Sequence, residues 1–186
     1  MMGWGFVHMK KLNVGAGKDI REGWVNLDKT SDFGSQIVWD LNDLPTPFKP
    51  ETFNYVLASH VLEDFVDCLP LMDELVRITK KGGVIEVVVP NETISWGCLT
   101  HKRAFNMSGL TNFSASREKY SLHNPKLEVI TAKYVKTYEN KISVLGRFYA
   151  DMCVWIANKI GHKVFDNTFL KYAFPLVFIN IKYGKK

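Results

Sequence analysis

Apolar residues in the first ninety positions come in short runs separated by polar or glycine-bearing connections. Residues 12–14, 24–27, 37–39, 53–58 and 84–89 each read as a strand. The last is rich in β-branched residues, the pattern of a strand buried on both faces. Between the fourth and fifth runs the period becomes helical. Pro70 sits at the helix start, where a missing N–H costs nothing. Leu71, Leu75 and Ile78 share a face with Met72 and Val76, while Asp73, Glu74, Arg77 and Lys80 are expected to point away. Gly82 reads as the stop signal. Strands separated by helices predict an α/β fold with a doubly wound, mostly parallel sheet.

From 91 to 125 the pattern dissolves into polar and aromatic residues with no clear period. Residues 127–138 alternate well enough for a sixth strand. Residues 143–160 have helical spacing, with Leu145, Tyr149, Met152 and Ile156 along one side, and 174–183 read as a last strand before a basic tail. One domain over 1–186 is the expected organisation, long enough to bury a substantial core.

Cys68, Cys98 and Cys153 are widely separated and form no C-x-x-C pair. That spacing argues against a structural zinc site or a disulfide framework and suits a reducing, cytoplasmic setting. Residues 1–9 are too short and glycine-broken for a signal sequence. The apolar stretch 144–160 carries Arg147, Asp151 and Lys159, so it is not expected to span a membrane. Charge is lopsided: residues 1–90 hold nine Lys/Arg against thirteen Asp/Glu, and 91–186 hold fifteen against six. Two readings stay open, an anionic partner for the basic half or a solvated basic surface.

The most informative stretch is 11–28, KLNVGAGKDIREGWVNLD. A strand runs into Gly15-Ala16-Gly17, and the next strand ends on Asp28. Glycines let the backbone approach a ligand, and a strand-end acid can accept both hydroxyls of a ribose. A dinucleotide fingerprint would need a third glycine where Ile20 stands, a full helix, and an acid about 20 residues on. The short interval from Gly17 to Asp28 leaves no room for that helix and counts against a nicotinamide-dependent oxidoreductase.

Three further stretches follow in register: IVWDLNDLP at 37–45, FNYVLASHVLE at 53–63, and RITKKGGVIEVVVP at 77–90. Over residues 11–91 the chain resembles the class I S-adenosylmethionine-dependent methyltransferases, close to the small members with SHVLEH-like and LKPGG-like motifs. It differs at Ala16, Asp64 and Lys81, where Cys, His and Pro are common. The resemblance implies a Rossmann-like sheet of seven strands, the last inserted antiparallel between the fifth and sixth. It also implies a cofactor half at about 1–91 and a substrate or lid half at about 92–186.

By that resemblance Gly15, Ala16 and Gly17 face the cofactor's methionine and ribose, and Asp28 holds the ribose diol. Asp40 accepts from the adenine amino group and the Leu41 N–H meets the ring; the other reading of Asp40 is a turn cap. Ser59 and His60 follow the fourth strand at the sheet's carboxyl edge. His60 is a candidate general base, a substrate contact or a helix cap, and Glu63 either orients it or faces water. Asn91 is a weaker candidate for the same pocket. His101-Lys102-Arg103-Ala104-Phe105 resembles an H-x-R-x-F segment that helps close such sites. There His101 is a second candidate base, and Arg103 can grip an anionic acceptor; a plain surface loop is the alternative. Trp96, Phe105, Phe113 and Tyr120 line a pocket or belong to the core. The 143–160 helix packs on the sheet, covers substrate, pairs two subunits in a homodimer, or touches a membrane surface.

The implied reaction is in-line methyl transfer to an oxygen or nitrogen of a small-molecule, glycan or other anionic acceptor. No N-P-P-Y-like tetrapeptide follows the fourth strand, which disfavours a nucleic-acid base as acceptor. The alternative is a non-catalytic relative that binds a partner through its basic half.

Overall fold

The computed structural model describes residues 9–95, 98–114, 126–135, 144–166 and 178–186. Seven strands form one sheet: β1 (Lys11–Val14), β2 (Val25–Asp28), β3 (Ile37–Val38), β4 (Phe53–Ser59), β5 (Thr79–Pro90), β6 (Leu127–Val135) and β7 (Phe178–Lys185). Their order is β3-β2-β1-β4-β5-β7-β6. Strands β1 to β5 pair in parallel, and β7 runs antiparallel to both β5 and β6. The strand order reverses between β1 and β4, so the carboxyl ends of β1, β2 and β4 flank a crevice. Open α/β sheets bind ligands at such a switch point.

Helix α1 (Leu69–Ile78) packs Leu71, Met72, Leu75, Val76 and Ile78 into the core as its period requires. Two details differ from expectation. The helix ends at Ile78 rather than running to Gly82, because Thr79 turns extended and its hydroxyl donates to the Leu75 carbonyl at 2.7 Å. Strand β5 then begins at once, and its register against β4 jumps from the Phe53–Thr79 pair to Tyr55–Val84. Gly82 bends this bulge at φ 71, and a Cβ on Gly83 would lie 2.8 Å from the Lys80 carbonyl oxygen. Glu74 does not point away: it is buried, accepting from the Thr46 N–H at 2.9 Å, from the Thr46 hydroxyl and from Arg77.

Among the described residues, the aperiodic segment after β5 holds two short helices, α2 (Glu92–Ser95) and α3 (Met107–Thr111). Asn106 caps α3 by accepting from the Gly109 N–H at 2.7 Å. Helix α4 (Val144–Ile160) is followed by α5 (His162–Asp166), a helix beyond the span that the spacing predicted. Cys153 and Ala157 face the core on α4, whereas Tyr149 and Met152 are exposed, with Phe148 at 70% and Trp155 at 61%. The apolar side read from the spacing is thus only partly covered, with Ile156 half-buried. The small Ala157 allows close approach, and Asn158 brackets the Tyr134 backbone, accepting from its N–H and donating to its carbonyl at 2.9 Å each. The side chain of Leu145 lies outside the described residues.

Tyr134 and Tyr183 are large buried rings of the core. The Tyr134 hydroxyl donates to Asp166 at 2.6 Å, and burial first, then that carboxylate, pushes its ionisation well above the ordinary phenol range. The final strand starts at Phe178; residues 174–177 of its expected span, like 136–138 of the sixth, lie outside the described residues. It also takes in part of the basic tail. Lys185 is buried, and its ammonium donates to the Thr79 carbonyl at 2.6 Å. Among the described residues no helix is long and apolar enough to cross a membrane.

Candidate functional site

A cavity of about 580 Å³ opens at the carboxyl edge of β1, β2 and β4. Its size suits a nucleoside-sized ligand. Of the residues singled out in the sequence, Gly15, Asp28, Asp40, Leu41 and His60 line it. Ala16, Gly17, Ser59, Asn91, His101 and Arg103 do not reach its wall.

The glycine turn is shaped by what surrounds it. Gly15 has φ 62, and a Cβ there would stand 2.5 Å from Val61 Cγ2. Gly17, at φ 48, donates its N–H to Asp28 Oδ2 at 2.8 Å, and the Thr30 N–H donates to the other oxygen at 3.2 Å. Ala16 is buried, its N–H bonded to the Leu27 carbonyl at 2.9 Å. A buried amide pair replaces the missing helix between β1 and β2. Asn13 donates to Asn26 Oδ1 at 3.2 Å and to the Asp19 carbonyl at 2.6 Å. Asn26 in turn accepts from the Arg21 N–H and donates to the Arg21 carbonyl, both at 3.0 Å. Sequence reading missed these two; the available signal was an Asn at an inward position in each of two apolar strands.

Asp40 closes a turn and also lines the cavity. Oδ1 accepts from the Asn42 N–H at 2.9 Å and from its side-chain amide at 2.8 Å, which closes a turn. Those bonds, the backbone one first, hold its carboxyl below the usual range while it lines the cavity. Buried Leu41 and the neighbouring Trp39 add apolar wall beside it. Asp64, also on the wall, has its carboxyl pushed upward by burial and then by the Glu63 charge.

His60 follows β4 with φ 56, its N–H bonded to the Val88 carbonyl at 2.9 Å. The imidazole is part-exposed, and Nδ1 lies 3.2 Å from Oε1 of Glu63, which is 1% exposed. The distance is that of an ion pair, but the N–H is out of line for a hydrogen bond. Ser59 ends β4 beside it.

The 98–106 segment contributes otherwise than its motif suggested. Leu99, Thr100 and Lys102 line the cavity mouth. His101 sits behind them, with Nδ1 2.8 Å from the Ser95 carbonyl oxygen. A carbonyl only accepts, so Nδ1 carries the proton and Nε2 is the accepting nitrogen. Arg103 reaches the Val66 carbonyl through Nε at 3.2 Å and Nη2 at 2.5 Å, strapping one loop to another. Asn91 is fully buried and bridges to Phe105, itself in the core, and Phe113 packs against that core. Trp96 and Tyr120 lie outside the described residues.

The site therefore offers a strand-end carboxylate whose oxygens each hold one N–H and keep further accepting capacity, as two ribose hydroxyls require. A glycine backbone lies beside it, and an apolar slot flanks Asp40. Its lining charges are Lys29 and Lys102 against Asp28, Asp40 and Asp64.

Residues 6–87 match the family model described as a methyltransferase domain. No curated protein matches the chain. Among solved structures, a Bacillus halodurans C-125 protein described as a methyltransferase superposes with a TM-score of 0.60 at 16% identity, covering 94% of this chain and 91% of that one. A Haloferax volcanii methyltransferase in complex with the Trm112 methyltransferase activator gives 0.59 at 15% identity, covering 96% and 83%. A SAM-dependent methyltransferase from Archaeoglobus fulgidus gives 0.55 at 15%, covering 94% and 86%. At these identities the superpositions speak to the fold, and the family match covers residues 6–87.

Proposed function

We propose that the chain is a class I, S-adenosylmethionine-dependent methyltransferase that transfers a methyl group to a hydroxyl oxygen of a small-molecule or glycan acceptor, with His60 as general base; the match of residues 6–87 to a methyltransferase domain supports the first part of this reading. The supporting observation is that His60 shares the cavity wall with Gly15 and Asp28, on the side where Glu63 backs it at 3.2 Å. An amine acceptor, which needs no base once neutral, is the second candidate.

S-adenosylmethionine supplies a methyl group on a positively charged sulfur, open to in-line displacement. The chain's own residues do the rest. Asp28 accepts from the ribose hydroxyls and, through Gly17, keeps the glycine turn closed. Asp40 and the Leu41 N–H frame the adenine edge. His60 takes the acceptor's proton, a contribution of about 10²- to 10⁴-fold when the nucleophile must be deprotonated. Holding acceptor and methyl in line supplies a further large proximity effect.

Among the described residues, the excess basic charge of residues 91–186 does not converge on this cavity. Two lysines stand against three carboxylates on its described wall, and Arg103 is committed to Val66. An uncharged hydroxyl acceptor therefore fits better than a phosphorylated one. A cytoplasmic setting agrees with three free cysteines, two of them buried.

Release of S-adenosylhomocysteine in the presence of panels of alcohols, phenols, sugars and amines tests the reading. Turnover of a hydroxyl acceptor that is lost in His60→Ala supports it. Turnover confined to amines, or insensitive to His60→Ala, overturns the hydroxyl and base assignments.

A further inference from the structure

We propose that Glu63 is a positioning residue for His60: its carboxylate keeps the Nδ1 side of the imidazole inward, leaves Nε2 toward the cavity, and balances the charge that His60 gains on taking the acceptor's proton. The proposal rests on His60 being the base.

Glu63 sits on a single 3-10 turn, Leu62–Asp64, directly after His60. Its side chain is 1% exposed, yet neither carboxylate oxygen receives a hydrogen bond. A buried carboxylate without donors is costly, and an apolar side chain of similar size would serve a purely structural role better. Among the described residues, the partner within ion-pair distance is His60 Nδ1, at 3.2 Å and off-axis. Such contacts are commonly loose before the reacting complex forms.

His60 is otherwise held tightly. Its backbone is fixed in the left-handed region by the bond to Val88, and its ring meets Phe178 edge-on at 5.1 Å between centroids. What remains free is which ring nitrogen faces the acceptor, and the carboxylate decides that. The main chain of Glu63 anchors the opposite wall, because its carbonyl accepts from the Lys102 N–H at 2.8 Å and the Arg103 N–H at 3.1 Å. Other charges around the turn are Asp64 beside it, His101 and Lys102 from the 98–106 segment, and Lys29 after β2. In the proposed step the acceptor O–H bond breaks and an Nε2–H bond forms. The electron pair stays on the oxygen, and Nδ1–H of the resulting imidazolium donates to Glu63.

Nitrogen-15 spectra of the full chain, with His60 assigned by a His60→Asn variant, test this without any acceptor. Neutral His60 is expected to carry its proton on Nδ1 in the wild type and to shift toward Nε2–H in Glu63→Leu. Glu63→Gln, which keeps an accepting oxygen, is expected to retain Nδ1–H. Both variants should melt no lower than wild type and bind S-adenosylhomocysteine within about twofold of it. An Nε2–H tautomer in the wild type, or one unchanged in Glu63→Leu, overturns the proposal. If neither variant folds, the wild-type tautomer alone decides it. Failure of the wild type to bind S-adenosylhomocysteine would instead defeat the cofactor-site assignment and leave the tautomer result standing.

Discussion

The N–H of Gly17 donates to Asp28 Oδ2 at 2.8 Å, across eleven positions of sequence. The glycine turn and the strand-end acid are thus one unit: the carboxylate that we propose for the ribose hydroxyls also closes the loop that lies beside it.

Asp28→Ala removes both functions. Bonds to a charged acceptor contribute about 1.5–3 kcal/mol each, so loss of even one should lower S-adenosylhomocysteine affinity about 10- to 150-fold by calorimetry. Asp28→Asn, which keeps an accepting oxygen for Gly17, should lose less. Equal losses in the two variants would show that the carboxylate charge, and not loop closure, carries the effect.

Gly15 and Gly17 both have positive φ, but only Gly15 is crowded, with Val61 Cγ2 2.5 Å from where a Cβ would stand. Both alanine variants carry backbone strain of about 1–3 kcal/mol. Gly15→Ala should cost more in melting temperature, and Val61→Ala in the same chain should recover the excess. No recovery in the double variant would mean that the strain is purely backbone.

Glu74 is a stability switch. Burial alone would raise its pKa, but hydrogen bonds from Arg77 and Thr46 outweigh burial and hold the carboxyl below its ordinary value. A depressed folded-state pKa contributes stability that is present above the unfolded value of about 4.3 and is lost as pH falls through the folded value. Melting temperature of the wild type should therefore drop more steeply below about pH 4.5 than that of Glu74→Gln. At neutral pH the variant should be less stable by about 1–3 kcal/mol. Parallel melting curves across pH would exclude this role.

The two histidines separate by position. His60 lines the cavity, whereas His101 is bonded to Ser95 behind its wall. With an acceptor in hand, His60→Ala should lower kcat by about 10²-fold or more and spare cofactor binding. His101→Ala should act mainly through the loop and cost far less. The reverse order would transfer the base role to His101.

Helix α4 offers a test of orientation. Trp155 is 61% exposed and Ala157 is fully buried. Trp155→Ser should change stability by no more than about 0.5 kcal/mol, while Ala157→Met should overpack the core at a cost of about 1–3 kcal/mol. Equal effects on chemical denaturation would mean that the face is assigned wrongly.

The chain alone determined the succession of strands and the first helix over residues 12–89. Those elements follow from local spacing, which registers in the apolar period whatever the partner. It also determined the glycine turn, the acid at Asp28 and the family likeness, because these lie within one contiguous stretch. The cavity wall at Gly15, Asp28, Asp40, Leu41 and His60 was legible for the same reason. Tertiary structure alone decided the remainder. Arg103 reads as an anion grip until Val66, 37 positions away, takes its guanidinium. Glu74 reads as a solvated helix residue until Thr46 arrives, and the outward face of α4 follows from Asn158 meeting Tyr134. Glu63 differs from a surface acid only because the 98–106 segment folds over it and binds its carbonyl. Burial of a polar group is set by whichever distant segment comes to rest on it, and no local period records that arrival.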